Sequence, residues 1–142
     1  MSGRRCNCNR RRAIMDIKEG IAGIREGIDD IREGLEDISN DNIFEGKRDI
    51  REGLRDIREG LCDIIRGLRS IRFEITREGR RDIREGICDI REGIRDVCEG
   101  LRDISRGNVE EGIQDIHEAL RDIKEGLNDI IEGLGDIINE KD

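Results

Sequence analysis

The side chains best suited to covalent or metal chemistry are the five cysteines, Cys6, Cys8, Cys62, Cys88 and Cys98. Cys6 and Cys8 form a C-x-C pair among arginines, and neighbouring positive charge makes a thiol more reactive. An odd number of cysteines cannot pair completely within one chain, so this pattern favours disulfide cross-links between chains. Soft-metal binding and incidental thiols stay open, although zinc needs about four ligands. We predict that all five are candidates for cross-linking and that there is no metal site.

The remaining groups that could act as acids, bases or ligands are one histidine and many carboxylates. His117 occupies a position that arginine usually fills, and we interpret it as solvated. The carboxylates recur at regular intervals with no distinguished pair, which argues against glycosidase or di-metal chemistry. The sequence has no phosphate-binding glycine loop, nucleophile elbow or dinucleotide fingerprint. We therefore predict no enzymatic activity, no catalytic residue and no cofactor.

A heptad repeat positions all of these groups, and it is clearest in the stretch 49–71, DIREGLRDIREGLCDIIRGLRSI. Its aliphatic residues alternate four and three apart, which is the spacing of an amphipathic helix. We label the repeating cell Ile-Arg-Glu-Gly-Leu-Arg-Asp as positions a to g. On a helical wheel, positions a and e form an apolar stripe, b and f a basic stripe, and c and g an acidic stripe. Glycine at d lies between the apolar and acidic stripes.

A longer repeat is superimposed on the heptad, because the apolar seam breaks three times by the same amount. Each break is five residues long, from Ile38 to Ile43, from Ile71 to Thr76 and from Ile104 to Val109. The registers therefore restart every 33 residues and predict units 10–42, 43–75, 76–108 and 109–141 in one domain, 10–142. Residues 1–9 are predicted to form a flexible arm rich in cysteine and arginine.

Two of the three unit junctions carry helix-start signals. Asn42 and Asn108 each precede a unit and have Glu45 or Glu111 three residues later, which resembles a capping box. The junction at 72–76 has no helix breaker, and Ile75 stands in its capping slot. We predict an all-α fold of four antiparallel amphipathic helices of about 28 residues, in an array or bundle. The alternative is one long central helix over 43–104 with the flanking helices folded back.

The d position is reserved for small residues. Among its sixteen occurrences, Ala13 and Ala119 are the two that are not glycine. The fourteen others are Gly20, Gly27, Gly34, Gly46, Gly53, Gly60, Gly67, Gly79, Gly86, Gly93, Gly100, Gly112, Gly126 and Gly133. A glycine inside a helix costs about 1 kcal/mol relative to alanine. We expect close helix packing at these positions to offset that cost.

The charged stripes predict how neighbouring helices are chosen. Parallel neighbours place a basic flank against an acidic one, whereas antiparallel neighbours place like charges together. Short turns make consecutive helices antiparallel, so the pattern favours additional neighbours from other copies of the chain. We therefore predict self-association. The net charge of -8 argues against nucleic acid as a partner, because a polyanion would be repelled on average.

The glycine heptad resembles a known class of sequence. The run LRDIREG at 54–60 is similar to the X-X-X-Leu-X-X-Gly heptad-repeat segments of bacterial proteins, with Ile standing for Leu. Comparable heptads cover most of residues 13–138. The resemblance implies a long helical, coiled-coil-like structure and a bacterial origin, and it implies no activity.

These observations together favour a structural protein. We predict a self-assembling helical scaffold that forms an oligomer, filament or layer with disulfide cross-links, for example a component of a bacterial spore coat or surface layer. A soluble adaptor that binds partner helices and a cysteine-based metal or redox protein are the alternatives.

The sequence also bears on localisation. No apolar run approaches the ~18 residues of a membrane span. The arginine-rich start lacks the apolar segment of a secretory signal, which predicts cytoplasmic synthesis. Deposition in an extracellular or spore-surface assembly stays open.

Overall fold

The computed structural model describes the backbone of residues 2–139 and the side chains of residues 9–139. Within that range the chain forms four α-helices, α1 Ser2–Ser39, α2 Ile43–Ile71, α3 Arg77–Ser105 and α4 Val109–Leu134. Short 3-10 helices, Arg72–Glu74 and Gly135–Asn139, follow α2 and α4. The predicted all-α fold of four helices is confirmed. The alternative of one continuous helix over 43–104 is wrong, because α2 and α3 are separate.

Helix α1 extends beyond the predicted repeat. It begins at Ser2, so the helix includes residues 2–9, for which the sequence predicts a flexible arm. The side chains of Cys6 and Cys8 lie outside the described residues. The division of the chain into an arm and a repeat domain stays a prediction.

The α1–α2 and α3–α4 turns share one backbone geometry. Asp41 and Gly107 have positive φ, 71° and 97°, and the following asparagine N–H donates to a carbonyl five residues earlier, at 2.8 Å in both turns. This is the Schellman arrangement, in which a left-handed residue closes the end of a helix. Asn42 and Asn108 are the N-cap residues, as the sequence predicts. Neither side chain makes a capping hydrogen bond, however, so the capping-box prediction is wrong.

The α2–α3 junction uses different residues from those the sequence indicates. The chain leaves α2 through the 3-10 turn, becomes extended at Ile75 and starts α3 after Thr76. The Thr76 hydroxyl accepts a hydrogen bond from the Gly79 N–H at 2.9 Å, as an N-cap does. Ile75 is buried. The α2–α3 break therefore consists of a buried apolar residue, Ile75, followed by the N-cap Thr76. The N-cap lies one residue later than the sequence pattern predicts.

The helices pair as two hairpins that share one core. The closest backbone approaches join α1 to α2 and α3 to α4, while α2 meets α3, and α1 meets α4, mainly through side chains. One continuous apolar cluster includes residues of all four helices. Among the described side chains, none that is polar or charged is buried. Arg10 Nε donates to both carboxylate oxygens of Glu74, at 2.9 and 3.0 Å, and ties α1 to the α2–α3 junction.

Candidate functional site

The glycines at position d form two lines of close contact, which we call the glycine seams. At the centre of the α1–α2 seam, a Cβ added to Gly27 would lie 2.5 Å from the carbonyl oxygen of Gly53 and 2.6 Å from Ile57 Cγ1. The same substitution at Gly53 would place Cβ 2.5 Å from the Gly27 oxygen and 2.7 Å from Ile31 Cγ1. Real Cβ contacts are longer. The space that a side chain would occupy at each of these glycines is therefore filled by a backbone carbonyl and an isoleucine side chain of the opposite helix.

All sixteen d positions take part in this pairing. The facing pairs are Ala13–Gly67, Gly20–Gly60, Gly27–Gly53, Gly34–Gly46, Gly79–Gly133, Gly86–Gly126, Gly93–Ala119 and Gly100–Gly112. Each of the two alanines faces a glycine. Each seam thus accommodates one methyl group in one of its pairs. In neither seam do two alanines face each other.

Close packing also brings acidic residues at position g together across each seam. A hydrogen bond with Asp49, partial burial and the charge of Asp49 raise the pKa of Asp37. Burial, followed by the charge and the hydrogen bond of Asp56, raises the pKa of Asp30. The predicted meeting of like charges in antiparallel helices therefore occurs within the chain itself.

In the α1–α2 seam, the g residues of the two helices face each other at four places, which we call crossings. At two of these crossings one of the two aspartates is replaced, so the repulsion is absent. One heptad from the Asp30–Asp56 pair, the same register sets Gly23 opposite Asp63. Asp63 lies 3.2 Å from Arg66 of its own helix. At the far crossing, the register sets Asp16 opposite Ser70. Gly23 is not among the glycines that the heptad predicts to pack closely, although glycine at an aspartate position is a visible departure from the repeat.

The α3–α4 seam has no such relief, because aspartate occupies position g of both helices throughout. At its turn end, burial and the hydrogen bond and charge of Asp103 raise the pKa of Asp115, and the charge of Glu111 adds to the effect. The carboxylates of these three residues lie within 4.8 Å of one another, half-buried or exposed. This is the one cluster of three potential cation ligands among the described residues, and it consists of Asp103 and Asp115 at position g and Glu111 at position c.

The opposite charge gathers between the two hairpins, on a surface that we call the arginine face. It consists of positions b and f of α2 and α3, where every charged residue is arginine. Its groove has an apolar floor that includes the half-buried Ile65, Leu68 and Ile87, with Arg84 and Arg91 at the rim. The equivalent positions of α1 and α4 are of mixed charge. The arginine face is therefore a strongly basic surface on a chain of negative net charge.

Next to it, across α3, lies a surface of opposite sign that we call the acidic face. It consists of positions c and g of α3 and α4, where every residue from Glu78 to Glu99 and from Glu111 to Asp136 is Glu or Asp. Helix α3 thus carries arginines towards α2 and carboxylates towards α4. Sequence periodicity predicts the stripes on each helix, whereas their combination into faces depends on which helices are neighbours.

Three of the predicted cross-linking cysteines are described, and all three are free thiols on α2 and α3. Cys62 and Cys88 are exposed, whereas Cys98 is half-buried and accepts a hydrogen bond from Arg58 Nη2 at 3.4 Å. None of the three belongs to a cluster of potential metal ligands among the described side chains. His117 is exposed on α4. Cross-linking stays a prediction.

The chain has two aromatic residues, and both lie on the surface. Phe44 at the start of α2 is 82% exposed, and Phe73, just beyond the end of α2, is 84% exposed. The guanidinium carbon of Arg72 lies 4.9 Å from the centroid of the Phe73 ring, which is a cation–π contact. Two large apolar side chains therefore face solvent at opposite ends of one helix.

Comparison with models of protein families, with curated proteins and with solved structures finds no match to this chain. Over residues 2–139, none of the helices combines the length and apolar character needed to cross a membrane.

Proposed function

We propose that this chain is a structural protein that assembles with copies of itself into an oligomer, filament or layer. The observation that carries the proposal is the exposure of both aromatic residues in a protein whose aliphatic residues are mostly buried. Burying a phenylalanine contributes about 1.5 to 3 kcal/mol, and aromatic residues and arginine are enriched at protein interfaces. Phe44 and Phe73 lie at opposite ends of α2, so contact between the ends of two copies would cover one of each.

The cysteines support the same proposal. Cys62 and Cys88 are exposed, so both are accessible to a thiol of another chain. With an oxidant such as dissolved oxygen to accept the two electrons, a thiol from each of two copies would form a disulfide and lock a contact that forms without it. A spore-coat or surface-layer component is our proposed setting, since such layers are built from self-assembling chains.

The test is the size of the purified protein, measured by sedimentation velocity and negative-stain microscopy with and without reductant. We expect large particles that become smaller, without disappearing, when disulfides are reduced. Phe44→Ser and Phe73→Ser should each reduce assembly. Met15→Ser is the matched control, since Met15 is 56% exposed on α1 and is not aromatic. A wild-type chain that remains monomeric at high concentration contradicts the proposal.

An adaptor that binds a helix of another protein is the second candidate. The groove of the arginine face favours it, because Ile65, Leu68 and Ile87 are only partly covered. An adaptor should purify as a small discrete species with or without reductant, which the same measurement detects.

A further inference from the structure

We propose that the arginine face of one copy binds the acidic face of another, so that the two faces form a repeated side-by-side contact. This inference rests on the proposed self-assembly and specifies its lateral interface. The two surfaces belong to the same chain and share α3, so every copy offers both.

The two faces are complementary in charge. At positions b and f of α2 and α3 the charged residues are all arginine, and at positions c and g of α3 and α4 they are all carboxylates. Arginine is suited to such a contact because its planar guanidinium binds a carboxylate through two hydrogen bonds. An interface between these faces sets basic groups against acidic groups along its whole length.

The spacing of the charges also favours this contact. Both faces repeat every seven residues, which is about 10.5 Å along a helix. A contact that satisfies one arginine–carboxylate pair therefore satisfies the next pair one heptad further on. Nucleic acid has no such repeat, because its charges follow one another at much shorter intervals. A second copy of the chain is therefore the polyanion that best matches the arginine face.

Repulsion within the acidic face favours the contact as well. Asp103 and Asp115 approach across the α3–α4 seam, and Glu111 lies beside them. Arginines from a second copy would offset that repulsion. The α1–α2 seam has less repulsion to offset, because Gly23 and Ser70 replace aspartate at two of its g positions. The contact joins two different surfaces, so it is heterologous and leads to a ring or a filament.

Two charge-reversed variants and a control test the interface. The basic-face variant is Arg84→Glu, Arg91→Glu, Arg95→Glu, and the acidic-face variant is Glu92→Arg, Glu118→Arg, Glu125→Arg. The control makes the same reversal on the α1–α4 side, at Arg25, Arg32 and Arg121. All of these residues are exposed. Circular dichroism establishes that each variant is folded, and Arg→Gln at the three basic-face positions is the milder substitute if the reversal unfolds the chain.

We expect each face variant to weaken association about tenfold or more, since surface ion pairs contribute modestly but three change at once. An equimolar mixture of the two face variants should restore assembly into particles that contain the variants in a one-to-one ratio, because every face of one variant then meets a face of opposite charge on the other. Sodium chloride at about 0.5 M should weaken wild-type assembly through screening. The control should assemble as the wild type does.

The results separate this inference from the general proposal. A wild type that assembles while both face variants behave like the control overturns the lateral contact and leaves self-assembly intact. A wild type that never assembles overturns both. Duplex DNA that binds the wild type but not the basic-face variant, when the acidic-face variant still assembles, would assign the arginine face to nucleic acid and overturn the inference.

Discussion

Alanine substitutions at Gly23 and Gly27 should differ in their effect on stability, although both glycines lie in the middle of α1. A Cβ at Gly23 would lie 3.6 Å from the oxygen of Asp56 and 3.7 Å from the Cα of Gly60, which are ordinary contacts. A Cβ at Gly27 would lie 2.5 Å from the oxygen of Gly53. The two helices would have to separate by about 1 Å to relieve that contact.

The magnitudes follow from two effects. Both substitutions gain about 1 kcal/mol from helix propensity. Overpacking typically costs about 1 to 3 kcal/mol, and only Gly27→Ala incurs it. Gly23→Ala should therefore stabilise the protein by up to about 1 kcal/mol, and Gly27→Ala should be less stable than Gly23→Ala by about 1 to 3 kcal/mol. The helix-propensity gain cancels in this comparison, so the difference between the variants measures the closeness of the seam.

Urea denaturation followed by circular dichroism measures these differences, at a protein concentration low enough to avoid association. A difference of about 2 kcal/mol corresponds to roughly 4 to 8 °C in the midpoint of thermal unfolding for a chain of this size. The double variant Gly27→Ala, Gly53→Ala should be destabilised by more than the sum of its parts, because it places two methyl groups against each other. Equal stabilisation by Gly23→Ala and Gly27→Ala would refute close packing as the reason for glycine.

The remaining predictions concern the turns, the acidic residues and the thiols. Asp41→Gly should stabilise the protein by up to about 1 kcal/mol and Gly107→Ala should destabilise it by about 1 kcal/mol, because both positions have positive φ and an L residue there costs roughly 1 to 2 kcal/mol; urea denaturation checks both. The raised folded-state pKa of Asp37 adds stability that is fully present below its unfolded pKa and is lost as pH rises through the folded pKa. The unfolding temperature should therefore fall as pH rises from about 4 towards neutrality, and Asp37→Asn should reduce that slope; an unchanged slope contradicts the assignment. A maleimide should label the exposed Cys88 faster than the half-buried Cys98, as peptide mass spectrometry can measure, and equal rates would contradict the burial difference.

Sequence periodicity predicts the helices of this protein well, because the pattern is repeated many times. Both asparagine junctions mark real turns, and the five-residue breaks mark all three. At the 72–76 junction the sequence leaves the long central helix open as an alternative, because the signals for a break are a buried Ile75 and a Thr76 cap displaced from the expected slot. A single threonine after an apolar residue is a weak signal until the packing of the helix ends is known.

The candidate surfaces were less predictable than the fold. Glycine at position d indicates close packing, but the facing pairs depend on turn length, which sets the register of each hairpin. The charged stripes correctly predict like charges between antiparallel helices, and from the same stripes we predict neighbours outside the chain. In the structure the like charges meet within the chain, where Asp37 meets Asp49 and Asp103 meets Asp115.

The glycine seams and the charged faces have one physical cause. Removing the side chain at d draws two antiparallel helices together on that side, and the adjacent g residues, which are mostly aspartate, must meet. The arginines at b and f lie on the other side of each helix, so they collect where the hairpins join. Segregation of charge is thus a consequence of hairpin topology acting on a uniform heptad. It is strongest around α3, because position g of α3 and α4 contains no substitute comparable to Gly23 or Ser70 in the first hairpin.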